Sequence, residues 1–259
     1  MTDLWVAGST NPKAKARLFC FPFAGGNTLA YRAWPKHFSS NIELRPVRLP
    51  GREGRFKETC YRNVVPLVQA LASGLSSYLD LPFAFFGHSM GALLAFELAR
   101  ILRRQGRPGP FCLMVSGRKA PQISFSGRAF HKLPDSELIE ELRNYGGTPE
   151  IILRQKEIME IFLPVIRSDF AINETYTYMP DALLDCPIRA FGGEIDHLVS
   201  KPDLDAWRQQ TMNDFALHMF SGGHFYLNGS EGHALARMVA RELETAVIQY
   251  PKANDKSRL

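Results

Sequence analysis

Gly87-His88-Ser89-Met90-Gly91 holds a serine between two glycines, after the apolar run Phe83-Ala84-Phe85-Phe86 and before the small residues Ala92 and Ala95. A serine on a helix surface needs no such framing, whereas one at a tight strand-to-helix turn does. There the backbone is strained, flanking side chains would collide with neighbouring elements, and the hydroxyl is pushed out above the sheet edge. G-x-S-x-G between a predicted strand and a predicted helix marks a nucleophile. An ordinary glycine-flanked turn is the plain alternative. A neutral hydroxyl attacks poorly, so Ser89 requires a base, and the base requires an orienting partner.

On sheets of this topology the acid and then the histidine follow the serine along the chain. Seven histidines are available. His37 comes too early, His88 lies inside the turn itself, and His131 falls in a helical region. His218 sits within a strand, and His233 at the start of the last helix has no loop to place it over Ser89. His224 stands in Ser221-Gly222-Gly223-His224-Phe225, a glycine-rich loop after the last strand, and is the expected base. Glu194 and Asp196 compete as the acid in Gly192-Gly193-Glu194-Ile195-Asp196-His197-Leu198-Val199. Asp196 is preferred, because its short side chain suits a fixed contact and the chain turns back into apolar packing after it. The acid accepts the histidine's other N–H and fixes its tautomer. For the oxyanion, one expected donor is the backbone N–H of Met90, the residue after the nucleophile. The other is the Ala24 N–H in Phe21-Pro22-Phe23-Ala24-Gly25-Gly26, a glycine-containing loop after an earlier strand. That loop matches neither phosphate-cradling pattern, P-loop or G-x-G-x-x-G.

These residues need a scaffold, and the chain reads as alternating strands and helices. Strands are predicted at 17–21, 42–47, 83–86, 111–115, 187–191 and 215–220, with Pro46 pointing to an edge or a bulge. Helices are predicted from Asn27 or Thr28 toward Phe38, from Val64 to Leu79, from Met90 to Arg104, and along the face Leu235, Met238, Val239, Leu243, Ala246 and Val247. Continuous apolar strands separated by helices argue for an α/β fold, a mostly parallel sheet covered on both faces. From about 121 to 184 the rhythm breaks. One helical segment runs from Asp135 or Ser136 to Asn144, and a second opens at Thr148-Pro149 and is bent or ended by Pro164. This insertion is either a cover over the ligand-binding end of the sheet or extra scaffold.

Composition narrows the class. A chain of 259 residues, 45% hydrophobic and 22% charged, is expected to form one soluble domain over 1–259. No run approaches the ~20 apolar residues of a membrane span, and Met1-Thr2-Asp3-Leu4-Trp5 lacks secretory features, so a cytoplasmic location away from membranes is expected. The four cysteines lack the spacing of a metal or redox motif and are read as free thiols. The net charge of +5 draws partly on the tail about 251–259, which is expected to be disordered. No basic stripe with interleaved aromatics supports nucleic-acid binding. A basic surface suits an acidic partner instead, with Arg100, Arg103, Arg104 and the stretch Arg45–Arg55 as candidate contacts.

Taken together, Phe21-Pro22-Phe23-Ala24-Gly25-Gly26, Leu49-Pro50-Gly51-Arg52, Gly87-His88-Ser89-Met90-Gly91, Gly192-Gly193-Glu194-Ile195-Asp196 and Gly222-Gly223-His224-Phe225 resemble the type II thioesterases. These are stand-alone α/β-hydrolases that accompany nonribosomal peptide and polyketide synthases. The resemblance runs from about Arg17 to Val247. It implies a Ser89, Asp196 and His224 triad and a mobile lid over an acyl chamber. It also implies hydrolysis of acyl groups from the phosphopantetheine thiol of carrier proteins. This chemistry requires no metal or cofactor, and a monomer is expected. Many members carry histidine where this chain has Phe23. Within the insertion, Phe125, Phe130, Ile158, Phe162 and Phe170 are candidates to line the chamber. The competing readings are an esterase or lipase acting on small esters, an inert synthase-binding protein of the same fold, and an acyltransferase or cyclase.

Overall fold

The computed structural model describes residues 4–254. Six strands form one sheet: β1 (Ala16–Phe21), β2 (Ile42–Pro46), β3 (Phe83–His88), β4 (Leu113–Ser116), β5 (Ile188–Gly193) and β6 (Phe215–Phe220). Their order is β2-β1-β3-β4-β5-β6, and every pairing is parallel. This is the mostly parallel sheet of an α/β-hydrolase. Pro46 ends β2 at the sheet edge, where a missing N–H leaves no ladder bond unmade.

Alternation along the strands assigns the two faces. Phe19, Phe21 and Phe85 point to one side, where α1 (Val64–Gly74) and α2 (Met90–Arg104) cover them with Leu67, Val68, Leu71, Leu93 and Phe96. Leu18, Cys20, Ala84 and Phe86 point to the other, under Tyr31, Trp34 and the Leu235, Val239 and Leu243 face of α7 (Ser230–Asn254). Neighbouring β1 and β3 send their connections to opposite sides, β1 toward β2 and β3 toward β4. Such a switch opens a crevice at the carboxyl ends of the two strands, where ligands bind open α/β sheets. The Phe21–Gly26 loop and Ser89 both sit there.

Between β4 and β5 lie α3 (Asp135–Tyr145), α4 (Glu150–Leu153) and α5 (Lys156–Glu174). They gather a separate apolar cluster, with Leu138, Leu142, Met159, Leu163, Ile166 and Phe170 buried. The short α6 (Lys201–Asp205) follows β5, with Ser200 and Asp203 forming a reciprocal cap.

Four local expectations change. The segment after Asn27 forms two short 3-10 turns, Thr28–Tyr31 and Pro35–His37, in place of one helix. Asn27 still caps, its side-chain oxygen accepting from the Leu29 N–H at 2.9 Å. The helix from Val64 stops at Gly74, and a 3-10 turn, Ser76–Tyr78, carries the chain toward Leu79. In the insertion the second helical segment splits into α4 and α5, with Pro149 at the N-cap of α4. Pro164 lies inside α5 without ending it. Its missing N–H and ring clash cost roughly 3 kcal/mol, which burial of Leu163, Ile166 and Phe170 offsets. Finally, α7 runs to Asn254, so residues 251–254 of the expected tail are helical and 255–259 lie outside the described residues.

Candidate active site

Ser89 has φ 53° and ψ −114°, a left-handed conformation that non-glycine residues rarely adopt. Its neighbours explain why the turn tolerates it. A Cβ on Gly87 would stand 2.1 Å from the Gly91 carbonyl, and one on Gly91 would stand 2.1 Å from the Phe21 carbonyl oxygen. Both glycines are there because backbone passes backbone. The Ser89 N–H donates to the Ser116 carbonyl at 2.8 Å, tying the turn to the end of β4. Met90 opens α2, so its N–H belongs to the set that a helix cannot satisfy internally.

The loop after β1 supplies the facing wall. Gly26 N–H donates to Phe23 O, and Gly25 N–H donates to Asp169 Oδ2, each at 2.8 Å. Ala24 lies between these bonds, and its N–H takes part in neither. Arg52 Nη1 donates to Gly26 O at 2.8 Å and completes the brace.

The loops after β5 and β6 are locked to each other. A Cβ on Gly193 would stand 2.4 Å from the Gly222 carbonyl oxygen, and the Ile195 N–H donates to that same oxygen. This contact sets His224 against Asp196, with His224 Nδ1 donating to Asp196 Oδ2 at 2.8 Å. The Asp196 side chain is fully buried. Its other oxygen accepts from the Leu198 N–H at 2.8 Å and the Val199 N–H at 3.3 Å. Glu194, the rival acid, is exposed. With Nδ1 so engaged, His224 Nε2 is left as the basic nitrogen.

Ser89, His224, Ala24 and Phe23 line one cavity of about 790 Å³, roofed by the insertion. Among the described residues the Ser89 hydroxyl makes no hydrogen bond. Catalytic hydrogen bonds commonly tighten only when substrate is bound. Phe125, Phe130, Phe162 and Phe170 are on the cavity wall, and Ile158 is not. Phe23 packs edge-on against His88 and Phe225, with centroids 5.9 and 5.2 Å apart.

The remaining histidines are engaged elsewhere, apart from His197, which lies on the cavity rim. His37 contacts His233 at 3.2 Å, His131 pairs with Glu174, and His218 stacks on Phe191. His88 is buried behind His224, with ring centroids 5.0 Å apart. Its Nδ1 meets Ser116 Oγ at 2.9 Å, and Ser116 Oγ meets the Tyr226 hydroxyl at 2.5 Å. This polar chain joins β3, β4 and the His224 loop, and burial pushes the His88 imidazole well below its ordinary range. The sequence reading passed over His88, Ser116, Tyr226, Asp169 and Arg118. Only Arg52 had a signal, in Leu49-Pro50-Gly51-Arg52.

The candidate docking arginines are paired within the chain, and Arg104 remains exposed. Arg100 pairs with Glu97, and Arg103 and Arg104 pair with Asp181. Arg45 pairs with Glu43, Arg55 with Glu58, and Arg52 with Asp169. All four cysteines are free, three of them buried. Among the described residues no helix is long and apolar enough to cross a membrane, and no group of three metal-ligating side chains is gathered.

A family model described as a thioesterase domain matches residues 16–243. The gramicidin S biosynthesis protein GrsT of Aneurinibacillus migulanus is 44% identical over 227 residues, covering 88% of this chain and 89% of GrsT. Among solved structures, the RedJ thioesterase from the prodiginine pathway of Streptomyces coelicolor superposes with a TM-score of 0.85 at 38% identity, covering 90% of this chain and 92% of RedJ. The type II thioesterase BorB from the borrelidin cluster gives 0.85 at 36% identity, covering 94% and 99%.

Proposed function

The chain belongs to the thioesterase family, and on that premise we propose that Ser89, His224 and Asp196 hydrolyse acyl groups from the phosphopantetheine arm of carrier proteins. The enzyme is a type II thioesterase of the kind that edits or unblocks nonribosomal peptide and polyketide synthases, or releases their products. The observation that carries the residue assignment is the 2.8 Å contact of a buried Asp196 with His224, which lines the same cavity as the strained Ser89.

Ser89 Oγ attacks the thioester carbonyl while His224 Nε2 takes its proton, and Asp196 stabilises the imidazolium through Nδ1. The tetrahedral oxyanion accepts from the Ala24 and Met90 N–H groups, and removing one such donor typically costs about 3–4 kcal/mol. Collapse expels the carrier thiol, which receives the proton from His224, and leaves the acyl group on Ser89. A water deprotonated by His224 then attacks the ester and frees the carboxylic acid and the serine. A single copy of the chain supplies every group in this scheme, which fits action as a monomer. The apolar chamber suits an acyl chain, and a carrier protein presents its arm at the mouth.

The test is turnover of acyl-carrier thioesters against aryl esters of the same acids. Ser89→Ala should abolish thioester cleavage, and a fluorophosphonate should label the unaltered chain at Ser89 alone. A strong preference for aryl esters, or transfer of the acyl group to an alcohol or amine rather than to water, would overturn the proposal.

A further inference from the structure

Arg118 follows Gly117, a residue so close to the proposed base that a Cβ added there would stand 3.3 Å from the His224 ring. The arginine therefore leaves the backbone beside the reaction centre, and it shares the cavity wall with Ser89 and His224. The other cations on that wall are paired, Lys119 with Asp203 and Arg128 with Glu137 and Glu141. Arg118 has no carboxylate partner among the described residues. Its Nη1 donates to the Asn173 amide oxygen on α5 at 2.6 Å. The other ionisable groups acting on it are the phenols Tyr176 and Tyr145. The Tyr145 and His224 ring centroids lie 6.2 Å apart.

Glu174, the carboxylate on the same wall, is already committed. It is buried, accepts from the Phe130 and His131 N–H groups, and pairs with the His131 ring. A guanidinium offers five donors in a planar fork, and Asn173 takes one. Arg118 is half-buried, and a charge drawn partly out of water without a counter-ion is costly. Burial accordingly draws Arg118 down to about 10, still protonated at neutral pH. Of the lysine and arginine side chains on the chamber wall, Arg118 is thus the one left without a carboxylate among the described residues.

We infer that Arg118 receives a carboxylate carried by the acyl group, so that the preferred substrates are thioesters of short dicarboxylic acids. The inference rests on the thioesterase reading and names a substrate class for that same site. The substrate's free carboxylate completes the ion pair that the protein leaves open, in the bidentate geometry that arginine favours. An acyl group bearing an ammonium is disfavoured by the same charge. The phosphate of the carrier arm shares this anionic chemistry, but it lies a full pantetheine length from the thioester carbon. Arg118 follows Gly117, which packs against the base, and shares the cavity wall with Ser89.

Glutaryl and pentanoyl pantetheine, of equal carbon count, isolate the distal carboxylate. The unaltered enzyme should show a glutaryl-to-pentanoyl ratio of kcat/KM of roughly ten to a hundred, the span of one charged hydrogen bond. Arg118→Gln should bring the ratio toward one, and Arg118→Lys should keep part of it. The ratio is internal to each preparation, and its value in the unaltered enzyme needs no variant to fold. A ratio at or below one, or one that Arg118→Gln leaves unchanged, overturns the inference. So does a preference for phosphopantetheine over pantetheine pentanoate that Arg118→Gln removes, which would assign the fork to the arm's phosphate. Brisk pentanoyl hydrolysis in any of these outcomes leaves the thioesterase reading standing, whereas cleavage of neither thioester defeats that reading itself.

Discussion

Arg52 and Asp169 form a bidentate ion pair, Nη2 to Oδ1 at 2.8 Å and Nη1 to Oδ2 at 2.9 Å, between the loop after β2 and helix α5 of the insertion. Both side chains are buried. Each also holds the loop after β1, Asp169 through the Gly25 N–H and Arg52 through the Gly26 carbonyl. The roof of the chamber and the proposed oxyanion donor at Ala24 thus share one anchor.

Breaking that anchor should affect stability and rate separately. Removing one partner of a buried pair leaves an uncompensated charge and typically costs about 3–5 kcal/mol. Asp169→Asn should therefore lower Tm by on the order of 10 °C for a chain of this size. Replacing both groups by apolar ones often restores stability. The double variant Arg52→Met with Asp169→Leu should regain most of the Tm while kcat stays depressed, because the Gly25 N–H still lacks its acceptor. Thermal scans and Michaelis curves on both variants make the comparison. Full recovery of kcat in the double variant would reduce the pair to plain scaffolding.

Gly91→Ala should be among the most damaging substitutions of a single methyl. The new carbon meets the Phe21 carbonyl oxygen at 2.1 Å, and main chain on either side cannot move aside as a side-chain tip can. Overpacking commonly costs about 1–3 kcal/mol, and this site should lie at or beyond the upper end. Urea midpoints report it. Gly109→Ala, where an added Cβ meets nothing within 4 Å, is the control and should be nearly neutral.

Asp196→Asn should keep the fold and remove the turnover. The amide can still accept from the Leu198 and Val199 N–H groups, but it no longer enforces the His224 tautomer. An analogous change in a serine triad lowers kcat by about ten-thousandfold. Single-turnover rates on an acyl-pantetheine thioester should fall by a comparable factor, with little change in KM. A loss below tenfold would remove Asp196 from the proposed triad.

His88 should make the protein acid-sensitive. Burial, with the charge on His224 as a lesser cause, depresses its imidazole well below the ordinary 6.5. The unfolded chain therefore binds a proton, from pH 6.5 downward, that the folded chain refuses. Stability from this group is fully present above pH 6.5 and is lost as pH falls toward the depressed value. One proton contributes a slope of at most about 1.4 kcal/mol per pH unit. His88→Gln, which can still meet Ser116 Oγ, should flatten the fall in urea midpoint between pH 6.5 and 5. Equal slopes in both proteins would place the acid sensitivity elsewhere.

The sheet and the candidate triad were legible because their signals are local. Strand-length apolar runs gave all six strands, and glycines beside Ser89, Asp196 and His224 marked the loops that lift functional groups off a sheet edge. Asp196 was separable from Glu194 because the chain returns to packing just after it, and the Leu198 and Val199 N–H groups of that return are its donors. What stayed hidden depends on partners far apart in sequence. Asp169 sits in an apolar helix and acquires meaning only from Arg52, 117 positions earlier. Arg118 reads as one more surface cation until Asn173 and the cavity surround it. The arginines of α2 showed no partner in the sequence because Asp181 lies near the far end of the insertion, and only the folded chain brings it back to them.

The insertion has an apolar cluster of its own, distinct from the two that clad the sheet. Ceiling and floor can consequently drift at different rates. Exchanges among Leu142, Met159, Ile166 and Phe170 reshape the space above Ser89 while the strands beneath keep their register. A lineage of such enzymes could retune its choice of acyl group by editing the ceiling alone, so long as each revision retains a carboxylate to meet Arg52.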